Sequence, residues 1–233
     1  MQPLSLDEFK QHYQYNQSTP ILQQYLDIKF EHQDCVVFFR LGDFYELFYE
    51  DAVNMSRLLG LTLTKRSNKE KSVAMCGVPY HAANTYLPKI IQAEHKIAIC
   101  EQLESPQEAK KRSGSKAVVD RQVVRIITQG TIFEESLLGN EPNYLLSMVC
   151  KADQVAICYL DISTLDFNVR LLPISQLASE VMGINPREII ASQNMISALY
   201  LLYTANSLST IRYMNLYQSS FQGAVIGLTL KGG

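Results

Sequence analysis

The chain has 233 residues, of which 47% are hydrophobic and 19% charged, and its net charge is −2. This length predicts one large domain or two small ones with a real core, and the composition excludes a disordered or collagen-like chain. The sequence contains no run of 18 apolar residues, so no membrane span is predicted. Five cysteines without Cys-x-x-Cys spacing indicate reduced thiols in a cytoplasmic protein, not a disulfide framework or a zinc site.

Basic residues concentrate in two stretches of the first half of the chain. Five lie between Arg57 and Lys71, and six lie between Lys110 and Arg125. Such stretches are typical either of solvated loops or of a face that binds an anionic ligand, and composition alone favours the loops.

The first part of the chain reads as a mixed α/β unit. Residues 1–17 are polar and predict a flexible N-terminal arm, and Pro20 behind Ser18-Thr19 predicts a helix start. Further on, hydrophobic periodicity and Gly/Pro positions predict helices over 44–59 and 82–94, strands over 35–39, 61–64, 73–76, 96–101 and 121–128, and loops over 65–71 and 105–117.

A second unit is predicted after a linker. The domain boundaries are 18–131 for the first unit, 132–142 for the linker and 143–233 for the second unit. Closely spaced strands over 144–150, 154–161 and 165–172 predict an antiparallel meander. They precede a predicted helix at 174–182, a strand at 186–191 and a helix at 195–203. The tail ends without a closing element, so we expect a truncated domain and a fragment of a longer protein.

Catalytic motifs are scarce in this sequence. It has no phosphate-binding loop, no Gly-x-Gly-x-x-Gly and no Gly-x-Ser-x-Gly. Asp161 ends a predicted strand where a ribonuclease-type metal site could place a carboxylate, with Asp153 and Asp166 nearby in sequence. Two-metal chemistry needs several acids around the ions, so a turn or surface aspartate is the favoured interpretation.

The most informative segment is residues 38–49, in which six of twelve residues are Phe or Tyr. Phe44, Leu47 and Phe48 have i, i+3, i+4 spacing, which favours packing in a helix core. Alternatively, Gly42 permits a sharp turn that exposes Phe44, and an exposed aromatic ring can stack on a base or wedge between base pairs. Glu46 would lie on the same side as Phe44 if the backbone were extended.

A set of motifs in this order resembles the MutS family of mismatch-recognition proteins. The motifs, as they stand here, are Thr19-Pro20, GDFYELF at 42–48, LTKR at 63–66, GVPYHA at 77–82, AICEQ at 98–102 and VVRIIT at 123–128. Leu160-Asp161-Ile162-Ser163 also resembles the start of that family's connector domain.

The resemblance implies a mixed-sheet mismatch-binding domain followed by a ribonuclease H-like connector domain. It implies that Phe44 wedges beside a mispaired base from the minor groove and that Glu46 hydrogen-bonds that base. Lys65, Arg66 and Arg125 match positions near the DNA-facing part, and we expect them to contact phosphates.

The resemblance also implies what lies elsewhere in the family. We expect no enzymatic activity and no cofactor in this chain, because the family's ATPase, with its ATP and Mg, lies outside the matched motifs. The implied partners are duplex DNA with mismatches, a MutL-type protein and a second copy in a homodimer, with no membrane. The implied location is the bacterial cytoplasm at the nucleoid.

Two other functions remain open on the sequence. One is a ribonuclease H-like nuclease unit at 143–233, which the shortage of acids disfavours. The other is a protein-interaction module, in which the connector serves as a docking surface.

Overall fold

The structure is a computed structural model that describes residues 3–68, 71–114, 117–132 and 141–191 and the backbone of 213–215. The chain forms two compact units, Met1–Ile132 and Phe133–Gly233. The described helices are α1 (Leu6–His12), α2 (Pro20–Glu31), α3 (Tyr49–Leu59), α4 (Leu87–Gln92), α5 (Pro106–Ser113) and α6 (Leu177–Ile184). The described strands are β1 (Cys35–Leu41), β2 (Phe44–Phe48), β3 (Thr64–Asn68), β4 (Lys71–Pro79), β5 (Lys96–Gln102), β6 (Arg121–Ile127), β7 (Tyr144–Lys151), β8 (Gln154–Asp161), β9 (Asp166–Pro173), β10 (Glu188–Ala191) and β11 (Tyr213–Asn215).

The first unit is built on a six-stranded mixed sheet with the order β3-β4-β2-β1-β5-β6. β1 and β5 are parallel, and the other neighbours are antiparallel. β1 and β2 therefore lie inside the sheet, and their apolar sequences suit strands that are covered on both faces. One face carries a core formed with α1 and α2, whose buried members are Phe9, Leu22, Tyr25, Leu26, Cys35, Val37, Phe39, Phe48, Ala98 and Cys100.

A buried carboxylate joins α2, α3 and β1. Asp51 accepts hydrogen bonds from the Val37 amide at 3.0 Å and the Tyr25 hydroxyl at 2.9 Å, and it pairs with Lys29 Nζ at 2.9 Å. β1 pairs with β2 only from Phe39 onwards. Asp51 therefore takes up a backbone donor that the sheet leaves unpaired at a buried position.

The helix predicted from residue 44 is wrong over its first five residues. Residues 44–48 form β2, and α3 begins at Tyr49, whose φ of 52° marks the change of direction. Leu47 and Phe48 are both fully buried because the interior strand is covered on both faces. Leu47 and Phe48 are three and four residues after Phe44, so the apolar residues of this strand have the same spacing as one face of a helix.

Three polar segments also differ from their predictions. The 1–17 segment contains α1, which starts with a Ser5/Glu8 capping box and buries Phe9. The 105–117 segment contains α5, again with a capping box. The 65–71 segment belongs to the β3–β4 hairpin, in which β3 is an edge strand. Edge strands commonly carry charged residues, so the basic sequence does not indicate a loop there.

The segment predicted as a helix over 82–94 has two parts. A 3-10 helix spans Tyr80–Thr85 and α4 begins at Leu87. Pro88 lies in the first turn of α4, where its missing N–H costs little.

The second unit contains a five-stranded sheet with the order β11-β10-β7-β8-β9. β7, β8 and β9 form the predicted antiparallel meander, whereas β10 pairs in parallel with β7 and β11. Three antiparallel strands followed by two parallel ones on the far side of the first strand is the ribonuclease H-like arrangement. α6 packs on one face, where Leu177 and Val181 join the buried core.

Some predictions lie outside the described residues. They are most of the linker at 132–142, the helix at 195–203 and the tail at 223–233. Ile132, the first residue of the predicted linker, is buried.

Candidate nucleic-acid interface

The β1–β2 hairpin turns through two residues, Gly42 and Asp43. Leu41 pairs with Phe44 across the turn, and Gly42 has a φ of 60°, which a side chain would strain. The turn is held from both sides. The Gly42 amide donates to Gln102 Oε1 at 2.8 Å, and the Tyr80 amide donates to the Asp43 carbonyl at 3.0 Å. Phe44 therefore stands directly after a fixed turn at the end of an interior strand.

Phe44 is 47% exposed, although it belongs to an aromatic segment that otherwise fills the core. Phe48, on the same strand and the same face, is fully buried. This exposure contradicts the helix-core interpretation and agrees with the alternative of an available aromatic ring.

Glu46 lies two residues further along the same strand, so its side chain projects from the same face as Phe44. It is half-buried and forms an ion pair with Arg66, in which Nη1 is 2.6 Å from Oε2. Burial raises the pKa of the Glu46 carboxyl, and the charges of Arg66 and Arg121 oppose that rise without cancelling it. The Glu46 carboxylate is therefore protonated at a higher pH than an exposed carboxylate.

Gly77 leaves room for the side chains of Phe44 and Glu46. It lies opposite Glu46 on β4. A Cβ at position 77 would stand 3.3 Å from the Tyr45 carbonyl oxygen, 3.8 Å from Glu46 Cγ and 3.9 Å from the Phe44 ring. The absence of a side chain at Gly77 therefore leaves space beside both Phe44 and Glu46.

Arg121 is a buried cation that sequence reasoning did not single out. Its Nε donates to the Arg40 carbonyl at 2.7 Å, and its Nη1 donates at 2.8 Å to both the Gln24 side chain and the Val119 carbonyl. Its guanidinium carbon lies 4.8 Å from the centre of the Phe39 ring. Its only signal in the sequence was membership of the second basic stretch.

The three cations expected to contact phosphates are not brought together. Arg66 is on the Phe44 face. Lys65 is the next residue of β3 and projects from the opposite face, where it is exposed. Arg125 pairs with Ile99 on β6, at the other edge of the sheet, and its side chain also projects from the opposite face. Only Arg66 therefore shares a surface with Phe44 and Glu46.

A second exposed aromatic ring lies beside the turn. Tyr80 follows Pro79, the β4 residue that pairs with Phe44, and it is 45% exposed. The Arg40 guanidinium carbon stacks 3.7 Å from the Tyr80 ring centre, and Arg40 also pairs with Glu101 at 3.6 Å. Arg40 pairs with Tyr45 on β2, so it projects from the face opposite to Phe44, and the stacked Arg40 and Tyr80 form a separate feature beside the turn.

Only two of the three carboxylates of the alternative nuclease site lie together, because Asp166 pairs with Asp161 where β8 turns into β9, whereas Asp153 does not. Asp161 is buried and accepts hydrogen bonds from the Asn143 amide at 2.9 Å and from the Ser163 hydroxyl at 2.6 Å. Burial acts to raise the pKa of Asp161, but these hydrogen bonds outweigh it and leave the pKa below its usual value. Asp153 lies in the turn just before Gln154, and Gln154 is about 23 Å from Asp161 along the extended strand. Asp161 is therefore a structural group that closes a turn.

The described residues offer neither a metal-binding cluster nor a helix that could span a membrane. They contain no cluster of three or more His, Cys, Asp or Glu side chains that could hold a metal ion. Within the same ranges, every helix is too short or too polar to cross a bilayer.

Comparison with known proteins identifies both units. A family model described as MutS domain I matches residues 19–136, and one described as MutS domain II matches residues 143–223. The DNA mismatch repair protein MutS of Orientia tsutsugamushi (strain Boryong) is 56% identical over 194 residues, which cover 82% of this chain and 22% of that protein. The protein of the same name from Rickettsia felis is 52% identical over 199 residues, covering 84% of this chain and 22% of that protein. The chain thus spans about a fifth of the length of these curated relatives. It belongs to the MutS family and carries that family's mismatch-binding and connector domains.

Proposed function

We propose that this chain recognises mispaired or unpaired bases in duplex DNA, with Phe44 as a wedge and Glu46 as a base-contacting group in the minor groove. The observation that carries this proposal is the exposed Phe44 ring behind a fixed turn, with the half-buried Glu46 on the same face. A core role would have buried the ring. A wedge has to be accessible before DNA arrives.

Energetic considerations favour recognition of a mispair by the ease with which the DNA deforms there. The minor groove displays a degenerate hydrogen-bond pattern, so sequence is poorly read there, whereas the ease of unstacking differs between steps. Unstacking a paired step costs about a few kcal/mol, and a mispair is already weakened. Aromatic stacking on a base is worth roughly 1–3 kcal/mol, which is enough to favour insertion at a mispair over a paired step.

The test is a titration of the ¹⁵N-labelled chain with two duplexes that differ only in one G·T mispair, followed by amide chemical shifts. Chemical shifts report even weak binding. The wild type should prefer the mispaired duplex and shift the Gly42 and Asp43 amides. Phe44→Ala should remove the preference, by roughly 5- to 150-fold in affinity for the mispaired duplex. Leu103→Ala, which truncates a comparably exposed apolar side chain outside the site, should not. Equal affinities of the wild type for both duplexes would refute the proposal.

Glu46 is tested by two substitutions at one fixed salt concentration. Glu46→Gln keeps a hydrogen-bond donor and loses the charge, so it should retain mismatch affinity and gain affinity for the matched duplex. Glu46→Ala loses the donor, and a hydrogen bond is worth about 0.5–1.5 kcal/mol. It should therefore bind the mispaired duplex less well than Glu46→Gln. Equal affinities of Glu46→Gln and Glu46→Ala for the mispaired duplex would refute a contact between Glu46 and the base.

A docking role for the connector is a second proposal, favoured by one observation. Phe167, Val169 and Leu171 alternate on β9 and are all more than half exposed, which makes an apolar strip on an edge strand. We propose a MutL-type protein as its partner. Val169→Asp should abolish capture of that partner by the intact chain without changing DNA binding. Unchanged capture would refute this assignment.

The remaining proposals concern the family's other parts. We propose that this chain itself is not an enzyme and that ATP and Mg act on regions of the relatives that it does not match. The homodimer and the bacterial cytoplasmic, nucleoid-associated location are likewise proposed from family membership.

A further inference from the structure

We propose that Arg66 allows this site to approach duplex DNA by compensating the charge of Glu46, and not as an independent phosphate contact. This inference rests on the proposed function and names a further residue on which DNA binding by the same site depends. Arg66 is a positioning residue, because it acts through another side chain.

The geometry commits the Arg66 guanidinium to Glu46. Arg66 projects from β3, Glu46 from β2, and β4 runs between them. Arg66 reaches across β4 to bring Nη1 within 2.6 Å of Glu46 Oε2, while its guanidinium carbon lies 5.7 Å from the Phe48 ring centre. Both side chains of the pair are less than one-third exposed. The arginine is therefore held at the carboxylate and over an aromatic ring.

The consequence for DNA is electrostatic. A bare carboxylate behind the wedge would face the phosphates of any duplex and repel them. Paired with Arg66, the two charges cancel, so the surface that meets the groove is nearly neutral at Glu46. The pair opposes matched and mispaired duplexes little, and the contrast between them is left to insertion of Phe44 and to the base contact of Glu46.

No other described cation is placed to replace Arg66. The charge of Arg121 reaches Glu46, but this guanidinium already donates to the Arg40 carbonyl, the Gln24 side chain and the Val119 carbonyl. Lys65 projects from the opposite face of β3. Removing Arg66 therefore leaves Glu46 without its direct partner.

This arrangement predicts a rescue that a phosphate contact does not. Arg66→Gln in the wild-type background should weaken binding to both duplexes about tenfold, because it leaves an uncompensated carboxylate beside the phosphates. In the Glu46→Gln background the same substitution should have little effect, about threefold at most. The double variant should thus bind better than Arg66→Gln alone.

The experiment measures both duplexes against the wild type, Glu46→Gln, Arg66→Gln and the double variant, by the same amide-shift titration at one salt concentration. Lys65→Gln, alone and with Glu46→Gln, is the matched control. It removes one positive charge from the adjacent residue of the same strand, and its effect should simply add to that of Glu46→Gln. Arg66→Lys, which keeps the charge, should bind both duplexes within about threefold of the wild type, and it provides the test if Arg66→Gln does not give a folded spectrum.

The outcomes separate the two proposals. Coupling at Arg66 and additivity at Lys65 support the inference. If the effect of Arg66→Gln is additive with that of Glu46→Gln while the wild type still prefers the mispaired duplex, Arg66 is an independent phosphate contact and this inference falls alone. If Arg66→Gln is unfolded, a loss of about tenfold or more for Arg66→Lys, which keeps the charge, refutes it. A wild type without mismatch preference refutes the proposed function itself.

Discussion

Truncation of Phe44 should cost far less stability than truncation of Phe48, although both are phenylalanines on one face of β2. Phe48 is fully buried, so Phe48→Ala leaves a cavity and should cost about 3–5 kcal/mol. Phe44 is 47% exposed, so only about half of the roughly 1.5–3 kcal/mol for burying such a side chain is lost, and no closed cavity forms. We expect Phe44→Ala to cost about 1 kcal/mol.

The assay is urea unfolding followed by resolved amide signals of the first unit, because the second unit can unfold separately. The two variants should differ in the free energy of unfolding by about 2–4 kcal/mol. A cost for Phe44→Ala as large as that for Phe48→Ala would mean that the ring is a core residue in solution. The wedge assignment would then fail whatever the DNA titrations showed.

Three further predictions concern the surroundings of Phe44. A ¹³C titration should give Glu46 a pKa above the ordinary carboxyl value, and Arg66→Gln should raise it further. Burial disfavours the ionised Glu46 carboxylate in the folded state, so this carboxylate lowers the free energy of unfolding at high pH. That loss of stability should diminish as the pH falls through the raised pKa. A Glu46 pKa at or below the ordinary carboxyl value would contradict the burial argument. Asp51→Ala should cost about 3–5 kcal/mol in urea unfolding, because it leaves Lys29 buried and unpaired; a cost below about 1 kcal/mol would show that the pair is not buried in solution. Gly77→Ala should cost about 1–3 kcal/mol in the same assay through crowding at the Tyr45 carbonyl, and an unchanged midpoint would mean that β4 shifts freely.

The candidate site was only partly predictable from the sequence. Gly42 before an aromatic residue indicated that Phe44 could be exposed, and the strand geometry then places Glu46 on the same side. The ion pair of Glu46 with Arg66 was not predictable, because it crosses an intervening strand and depends on the register of two hairpins. The sequence also did not show that Lys65 faces away from Arg66's side of the sheet, because residues 65–71 were predicted as a loop and neighbouring side chains alternate only in a strand.

The errors in the fold have a common physical cause. Hydrophobic periodicity indicates which side chains are buried, but it does not distinguish one face of a helix from a strand that is covered on both faces. In β2 both faces are buried at Leu47 and Phe48, so the two-residue alternation is lost and a helical spacing appears. In α5 only Ala109 is buried, so a polar sequence predicted a loop although the Ser105/Glu108 capping box marked a helix start.

Local capping signals therefore outweighed hydrophobic pattern in the polar segments. The meander of β7, β8 and β9 was predicted correctly, because its short turns and steady spacing need no information from distant residues.

The parallel pairing of β1 with β5 has a consequence for the order in which the first unit forms. The β1–β2 and β3–β4 hairpins join neighbours in sequence, whereas Cys35 pairs with Lys96 across a long intervening stretch. Closing that stretch costs chain entropy before the pairing contributes any stabilisation, and such non-local contacts slow folding. During synthesis the hairpin that carries Phe44 can therefore form early, but β1 keeps one edge open until β5 has left the ribosome. Over that interval its five consecutive apolar side chains, Cys35 to Phe39, are exposed to aggregation.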